Sequence, residues 1–212
     1  MHEVLENLYA LPKDQRTLSN AQQMSRVIWA KGWVERLSAL GLNEKEMREF
    51  RWKSWWCVEN LWVVENPADI LPLGLESEYN VEVVPGIRVR GFVDRITEFG
   101  DGVKITDYKT GKFPRPAYMD QKWFQLLLYK VVVERTIDKP VKEVELIYLK
   151  DGKSVGRKTT AEDDARTLAR VASVHAEIQQ SLSTGDFPTK VSRLCDWCHY
   201  KKICPAWGAR RN

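Results

Sequence analysis

Residues 91–111 read Gly91-Phe-Val-Asp94-Arg-Ile-Thr-Glu-Phe-Gly-Asp-Gly-Val-Lys-Ile-Thr-Asp107-Tyr-Lys109-Thr-Gly111. Val103, Ile105, Asp107 and Lys109 are spaced by two residues, which indicates a β-strand with these four side chains on one face. The glycine-bearing turn at positions 100–102 predicts that the preceding strand folds back antiparallel. The segment therefore predicts a β-hairpin that carries two acids and a lysine.

The turn also predicts the register of this hairpin. If positions 100 and 101 form a two-residue turn, Asp94 lies directly opposite Asp107, with Cβ atoms about 4.5–5.5 Å apart. Two carboxylates at that separation repel, and a divalent cation between them would remove the repulsion. Their oxygen ligands suit Mg²⁺ or Mn²⁺. Spacing alone leaves an alternative, in which the acids form ordinary surface ion pairs with Arg95 and Lys109.

Further short motifs occur before and after this hairpin in the sequence. The motifs are Met-His-Glu-Val-Leu-Glu-Asn-Leu-Tyr at 1–9, Gly-x-x-Asp-Arg at 91–95, Asp-Tyr-Lys-Thr-Gly at 107–111, Gln-x-x-x-Tyr at 125–129, Gly-Asp-Phe-Pro at 185–188 and Cys-Asp-Trp-Cys at 195–198, followed by Cys-Pro at 204–205. In this order they resemble the RecB-like branch of the PD-(D/E)XK nuclease superfamily. The likeness is closest to stand-alone RecB-like exonucleases of actinobacteria and their phages, relatives of the AddB nuclease domain and of CRISPR-associated exonucleases.

The resemblance implies a fold and a set of catalytic residues. The expected fold is a restriction-endonuclease-like α/β core, in which helices flank a central mixed β-sheet, with a helical N-terminal part and a cysteine-bearing C-terminal tail. Asp94 and Asp107 would hold the metal, with the carbonyl of Tyr108 as a further ligand. Lys109 would orient the attacking water and offset charge on the phosphate. His2 matches the family's metal-binding histidine, at a position that composition alone would assign to a mobile terminus.

Three further side chains are candidates for the site. Gln125 and Tyr129 lie four residues apart on a predicted helix and share one face, which in the relatives faces the active site and the substrate backbone. The alternative is a tyrosine in the core beside a polar neighbour. Glu76 falls where the family has a glutamate at the opening of the first strand, and Glu78 competes with it by spacing. Either glutamate could instead orient a neighbouring group or be solvated.

The cysteine-bearing tail is a second candidate metal-binding segment. Cys195, Cys198 and Cys204 place three thiolates on a compact turn, where they would repel without a cation. The spacing suits zinc, with His199 as a conceivable fourth ligand, whereas the resemblance implies a structural four-iron four-sulfur cluster. The family's fourth cysteine precedes the histidine helix, so we expect a chain that is shortened at its N-terminus or dispenses with that segment. Cys57 is left open, as that ligand or as a buried apolar residue.

Composition bounds the class of protein. A chain of 212 residues with 43% hydrophobic content predicts one globular domain. The resemblance implies that this is a single nuclease domain over 1–212, with a helical part at 1–66, a catalytic core at 76–182 and the tail at 185–212. The net charge of +4 is compatible with a phosphate-bearing partner. No apolar run approaches the roughly 20 residues of a membrane span, and no secretory pattern opens the chain, so we expect a cytoplasmic protein without a membrane partner.

Hydrophobic periodicity places these motifs on elements. It predicts helices at 2–9, 21–40, 44–64, 118–135 and 161–182 and strands at 78–84, 87–96, 103–109, 144–149 and 154–159. Tryptophans are concentrated in the helical N-terminal part. Trp52, Trp55, Trp56 and Trp62 are expected to pack the helices on the sheet, and base stacking is the alternative for some of them.

The resulting hypothesis is a metal-dependent DNA exonuclease that hydrolyses phosphodiester bonds in single-stranded DNA or at DNA ends, in recombination, repair or phage DNA metabolism. A helicase or recombination protein is its expected partner. The alternative is a non-catalytic DNA-binding or scaffold module of the same fold. A sequence-specific endonuclease would need a recognition element, and the sequence offers no candidate for one.

Overall fold

The computed structural model describes residues 1–32, 35 and 39–208. Positions 33–34 and 36–38, which include Trp33 and part of the helix predicted at 21–40, lie outside the described residues. The chain forms two compact units, Met1–Ala169 and Arg170–Asn212. The expectation of one nuclease domain over 1–212 stays a prediction. Within the described part of the chain, no helix combines the length and apolar character that a bilayer crossing requires.

The elements follow the predicted order of helices, strands and helices. The N-terminal helices are α1 (His2–Ala10), α2 (Leu18–Ala30), α3 (Glu44–Glu59) and α4 (Leu61–Val64). Next come the strands β1 (Pro72–Val84), β2 (Ile87–Phe99) and β3 (Gly102–Lys109), and then helix α5 (Met119–Glu134). The chain continues through β4 (Val141–Tyr148), β5 (Lys153–Lys158), α6 (Ala161–Thr184) and the short α7 (Pro205–Gly208).

The strands form one mixed sheet. Its order is β1-β2-β3-β4-β5, and β3 and β4 are parallel while the other neighbours are antiparallel. A parallel pair needs a crossover, which here contains α5. The predicted α/β class with a central mixed sheet flanked by helices is therefore confirmed.

The central hairpin has the predicted register. Phe99 pairs with Gly102 and Arg95 with Thr106, which places the two-residue turn at positions 100 and 101. Gly100 has a φ of 61°, a left-handed conformation that glycine adopts without steric cost and that tight hairpin turns require. The ladder ends at the Arg95–Thr106 pair, immediately before Asp94 and Asp107.

Helices cover both faces of the sheet. Tyr108 and Lys109 are consecutive in β3 and so point to opposite faces. Tyr108 belongs to a buried core shared with α1, α2, α3 and α4, whereas Lys109 is hydrogen-bonded to Gln125 of α5. The N-terminal helices therefore lie on one face and α5 on the other. Residues of the hairpin can reach both layers.

Three element boundaries differ from the sequence prediction. Helix α2 ends at Ala30, and Gly32 follows with a φ of 81°, a conformation that terminates helices. The helix predicted at 44–64 divides at Asn60, whose side-chain amide donates to the carbonyls of Leu149 and Lys150. Strand β1 begins at Pro72 rather than Glu78, because an edge strand tolerates proline.

The tryptophans of α3 and α4 do not all pack as predicted. Trp55 and Trp62 are partly buried against the core, in agreement with the prediction. Trp52 and Trp56 are 61% and 56% exposed, so the expectation that they pack on the sheet is wrong. Apolar spacing alone does not show which side of a helix meets the sheet and which meets solvent.

A buried ion pair joins the helical layer to the hairpin. Arg95 is fully buried, and its guanidinium lies over the rings of Tyr9 and Tyr108 at 4.7 and 5.4 Å. Its Nη2 donates to Glu65 at 2.8 Å, and the Tyr9 hydroxyl donates to the same carboxylate. The pair thus fixes α1 and the segment after α4 against β2 and β3, beside Asp94.

Replacing Arg95 by Met should lower the free energy of unfolding by about 3–5 kcal/mol, because it leaves the Glu65 charge buried without a partner. Urea unfolding monitored by circular dichroism measures the loss. Arg90→Met is the matched control on the same strand, because Arg90 pairs with Glu78 in solvent, where such a pair contributes about 0–1 kcal/mol. Equal losses in the two variants would contradict the proposed role of the buried pair.

Candidate active site

Three carboxylates form a row across the first three strands. On the β1–β2 ladder, the residues on either side of Glu76 pair with those on either side of Asp94, so these two acids face each other. Asp107 follows on β3, one position beyond the last pair of the central hairpin. The two hairpins therefore contribute one acid from each strand.

Helix α1 adds a histidine to this row. His2, the first residue of α1, has its Nδ1 atom 3.3 Å from Glu76 Oε1 and 3.4 Å from Asp94 Oδ1. One donor atom from each of these three residues lies within 4.8 Å of the other two, a grouping that could hold a metal ion. The apolar residues of α1 hold His2 there, since Val4, Leu5 and Leu8 are buried in the core.

Asp94 is positioned by the neighbouring strand. Its Oδ2 accepts a hydrogen bond of 2.7 Å from the backbone N–H of Tyr108, which leaves Oδ1 facing His2. The buried Tyr108 ring meets the His2 ring edge-on at 6.2 Å. The backbone of Tyr108 thus orients a carboxylate of the group that could hold a metal ion, and ligation by the Tyr108 carbonyl stays a prediction.

Asp107 begins a polar chain that leads to α5. Its Oδ2 lies 2.7 Å from Lys109 Nζ, and Lys109 donates to Gln125 Oε1 at 3.1 Å. Gln125 in turn donates to the hydroxyl of Tyr129 at 2.9 Å. A Cβ atom on Gly91 would lie only 3.0 Å from the Tyr129 ring, so glycine allows the close approach of this ring to β2. Sequence-predicted residues from three elements are brought together here.

Burial and mutual repulsion shift the pKa values of the acids in this row. Burial raises the pKa of Asp107, and the charge of Asp94 raises it further. Burial also raises the pKa of Glu76, again with a contribution from Asp94. The hydrogen bond to Asp94 raises the pKa of His2. Oδ2 of Asp107 is buried and makes no hydrogen bond of good geometry, despite its contact with Lys109. A divalent cation would offset this excess of negative charge.

The donor set therefore fits a divalent metal. Two carboxylates with one imidazole suit Mn²⁺ and, through the oxygens, Mg²⁺. Among the described residues, His2, Glu76 and Asp94 form the group with all donor atoms within 4.8 Å, and Asp107 stands outside it, against Lys109. The expectation that Asp107 ligates the metal directly stays a prediction.

The structure distinguishes Glu76 from Glu78, the two candidates for the glutamate of the site. Glu78 is bound in solvent to Arg90 at 2.6 Å, whereas Glu76 faces His2 and Asp94. Glu76 has a φ of 41°, the one positive value among the described non-glycine residues, and strained backbone of this kind is concentrated at functional sites. No sequence pattern signals that conformation, which is why spacing alone did not distinguish Glu76 from Glu78.

The cysteine tail forms a compact cluster within the second unit. Cys195, Cys198 and Cys204 line one small cavity, together with Val191 and Trp207 among others. The backbone N–H of Ser192 donates to the Cys195 sulfur at 3.3 Å.

Cys57 lies in a different setting, within the first unit. It is 5% exposed in the apolar core with Val58 and Leu61, where burial raises the pKa of its thiol. A raised pKa disfavours the thiolate form that binds metals. The core position supports the alternative of a buried apolar cysteine, and ligation by Cys57 stays untested.

Comparison with known proteins assigns the family. The model of the PD-(D/E)XK nuclease superfamily matches residues 1–205. The chain belongs to this superfamily. Its mixed five-stranded sheet flanked by helices is accordingly a restriction-endonuclease-like fold, as the sequence motifs predicted. Members of this superfamily are nucleases that use divalent metals such as Mg²⁺ or Mn²⁺, and the row of acids is where such a metal fits.

The chain spans less than two thirds of the length of each curated relative described next. The gene 69 protein of Mycobacterium phage L5 is 29% identical over 136 residues, which are 63% of this chain and 44% of the phage protein. The gene 69 protein of Mycobacterium phage D29 is 24% identical over 177 residues, 82% of this chain and 61% of that protein. One subunit of the ATP-dependent helicase/nuclease of Bacillus cytotoxicus is 37% identical over 79 residues, which are 32% of this chain and 6% of that protein.

Replacing Glu76 by Gln should weaken Mn²⁺ binding by about tenfold or more, because the change removes a charged oxygen ligand while keeping the side-chain shape. Isothermal titration calorimetry measures this effect. Glu78→Gln is the matched control, two residues along the same strand, and should bind Mn²⁺ as the parent does. If Glu78→Gln weakened binding as much as Glu76→Gln, the assignment of the cation to the row of acids would be wrong.

Proposed function

We propose that the protein is a metal-dependent deoxyribonuclease that hydrolyses phosphodiester bonds as an exonuclease, on single-stranded DNA or DNA ends. The observation that carries this proposal is the grouping of His2, Glu76 and Asp94, whose donor atoms lie within 4.8 Å of one another. Asp107 and its ion-pair partner Lys109 follow on the neighbouring strand. Lys109, which the resemblance implies for catalysis, contacts Asp107 and Gln125, and Gln125 contacts Tyr129, which supports the proposal. Family membership supports nuclease chemistry, and the exonuclease mode rests on the motif resemblance.

Different residues of the chain would have different roles in hydrolysis. His2, Glu76 and Asp94 would hold the cation, which when bound lowers the pKa of a water molecule and polarises the phosphate. Lys109, held between Asp107 and Gln125, is placed to orient the attacking water and to offset charge on the phosphate. Gln125 and Tyr129 form a fixed polar chain on α5, which would position the substrate backbone.

This arrangement favours catalysis over a purely structural role. A scaffold that had lost its activity would retain the fold without needing an intact set of ligands. Here His2 contacts Glu76 and Asp94, and a chain of contacts runs from Asp107 through Lys109 to the α5 pair.

The biological setting is proposed from the relatives. One similar protein is named as part of a helicase/nuclease, and others are phage gene products. The helicase/nuclease name supports a helicase as a candidate partner. A role in recombination, repair or phage DNA metabolism, within the cytoplasm, rests on the motif resemblance. These alignments span limited parts of the relatives, so the partner and pathway are inferred by analogy.

We also propose that the cysteine tail binds a structural four-iron four-sulfur cluster. Three thiols lining one cavity would repel as thiolates, and a bound cluster would neutralise them. The Ser192 N–H donates to Cys195 Sγ in the capping box of this turn, which fixes the position of that sulfur beside the cavity. Zinc is the alternative occupant, and elemental content distinguishes the two.

Replacing Asp107 by Asn should slow cleavage of end-labelled DNA in Mg²⁺ or Mn²⁺ by about a thousandfold or more, because the variant loses the charge that fixes Lys109 in the site. Asp101→Asn, an exposed acid in the turn of the same hairpin, is the control and should cleave at the parent rate. Linear single-stranded DNA should be degraded, and covalently closed circles should survive. Cleavage by Asp107→Asn above about a tenth of the parent rate would overturn the assignment.

Protein purified without oxygen should be brown and should contain iron with acid-labile sulfide, because the tail thiolates bind a cluster. Cys204→Ala should lose the colour and unfold at a lower temperature. Cys57→Ala should keep the colour if Cys57 only fills the core, and loss of colour in that variant would make it the fourth ligand. Stoichiometric zinc without iron would refute the iron–sulfur proposal and leave the nuclease proposal intact.

A further inference from the structure

A large open groove lies in the helical layer, outside the row of acids. It is formed by α1, α2 and α3 and has a volume of about 470 Å³. Ligand pockets measure about 300–1,000 Å³, so the groove has room for planar groups of the size of one or two nucleobases. The proposed hydrolysis does not use it.

Aromatic side chains make up much of the groove wall. Trp29, Phe50, Trp52 and Trp55 all line it. The rings of Trp29 and Phe50 lie 6.1 Å apart with a tilt of 34°. Phe50 and Trp52 are 45% and 61% exposed, which is unusual for side chains of this size. Exposed aromatic faces in a groove are the surfaces on which unpaired bases stack.

The charge of the groove complements a nucleic-acid backbone. Arg26, Arg48 and Arg51 line it, and none of its described lining residues is acidic. Arg51 lies over the Trp29 ring at 5.8 Å, so a cation accompanies an aromatic face. Arg48 is partly neutralised by Glu44 at 3.6 Å in solvent. Arginine beside aromatic rings is the combination that binds single strands without sequence preference.

The groove and the metal-binding row are adjacent. Met1 lines the groove, and the next residue, His2, contacts Glu76 and Asp94. Val4, one turn along α1, also lines the groove. Consecutive Cα atoms are about 3.8 Å apart, so a ligand in the groove lies next to the residue that begins the catalytic row.

We propose that this groove is a binding subsite for single-stranded DNA, in which unpaired bases stack on Trp52 and neighbouring rings while the arginines contact phosphates. The proposal rests on the proposed nuclease function and deepens it, because it names the substrate form that the site prefers. Duplex DNA hides the faces of its bases within the stack, so it cannot use the aromatic wall. Single-stranded segments, including frayed ends, would be led past α1 to the row of acids.

The test compares Trp52→Ala with Trp56→Ala. Both tryptophans are exposed on α3, but only Trp52 lines the groove, so the pair separates stacking from a general change of the helix surface. Binding is measured by fluorescence anisotropy of a labelled oligothymidylate and of a blunt duplex of equal length, in EDTA to prevent hydrolysis. Thermal unfolding of each variant checks that the fold is intact.

Trp52→Ala should weaken binding of the single strand by about five- to a hundredfold, the range that loss of one stacked base implies. Its binding of the duplex should stay within twofold of the parent, and Trp56→Ala should match the parent on both ligands. Arg51→Ala should also weaken single-strand binding and reduce its dependence on salt, whereas Lys53→Ala, an exposed cation on α3 outside the groove wall, should not.

Two results would overturn the inference. Parent-like single-strand binding by Trp52→Ala would exclude the groove as a DNA subsite. A parent that sediments as a dimer, with Trp52→Ala monomeric and DNA binding unaltered, would assign the groove to a second copy of the chain. Failure of the proposed nuclease function gives a different result. If the parent protein cleaves no DNA in Mn²⁺ but binds single strands through Trp52, the subsite proposal stands and the nuclease proposal is wrong.

Discussion

The antiparallel register of β1, β2 and β3 is the constraint on which the rest of the site depends. Side chains alternate across a strand, so a slip of one residue in either ladder would move an acid to the opposite face. The two-residue turn at positions 100 and 101 sets one ladder, and the pairs flanking Glu76 set the other. Repulsion among the three acids opposes this arrangement. The buried Arg95–Glu65 pair and the apolar packing of α1 hold the strands in place against it.

The candidate site combines residues of the sheet with one residue of a helix. Asp94 and Asp107 lie on central strands, and Asp94 is hydrogen-bonded to backbone, so their positions follow from the sheet. Lys109 is held between Asp107 and Gln125 and has little freedom to leave. His2 depends on a helix outside the sheet. Acids and a lysine fixed by the sheet, with a histidine held by the packing of α1, would provide preorganised electrostatics.

Sequence reasoning recovered the parts of the molecule that depend on local spacing. The alternation before Asp107 and the glycine turn were sufficient for the hairpin, its register and the Asp107–Lys109 contact. The place of Glu76 depends on a backbone conformation that spacing does not encode. The exposure of Trp52 depends on how three helices pack, which periodicity within one helix cannot report. Tertiary packing, rather than missing motifs, therefore limited the prediction.

Helix α1 comprises nine residues, fewer than the roughly 12–15 that an isolated helix needs to be even marginally stable in water. Its order therefore comes from the core beneath it, through Leu5, Leu8 and Tyr9. A cation held by His2 would add its binding free energy to that docking, and docking would in turn raise the affinity for the cation. With a cation bound by His2, metal occupancy and local unfolding of the first helix would be thermodynamically linked, and this short segment would couple folding to readiness for catalysis.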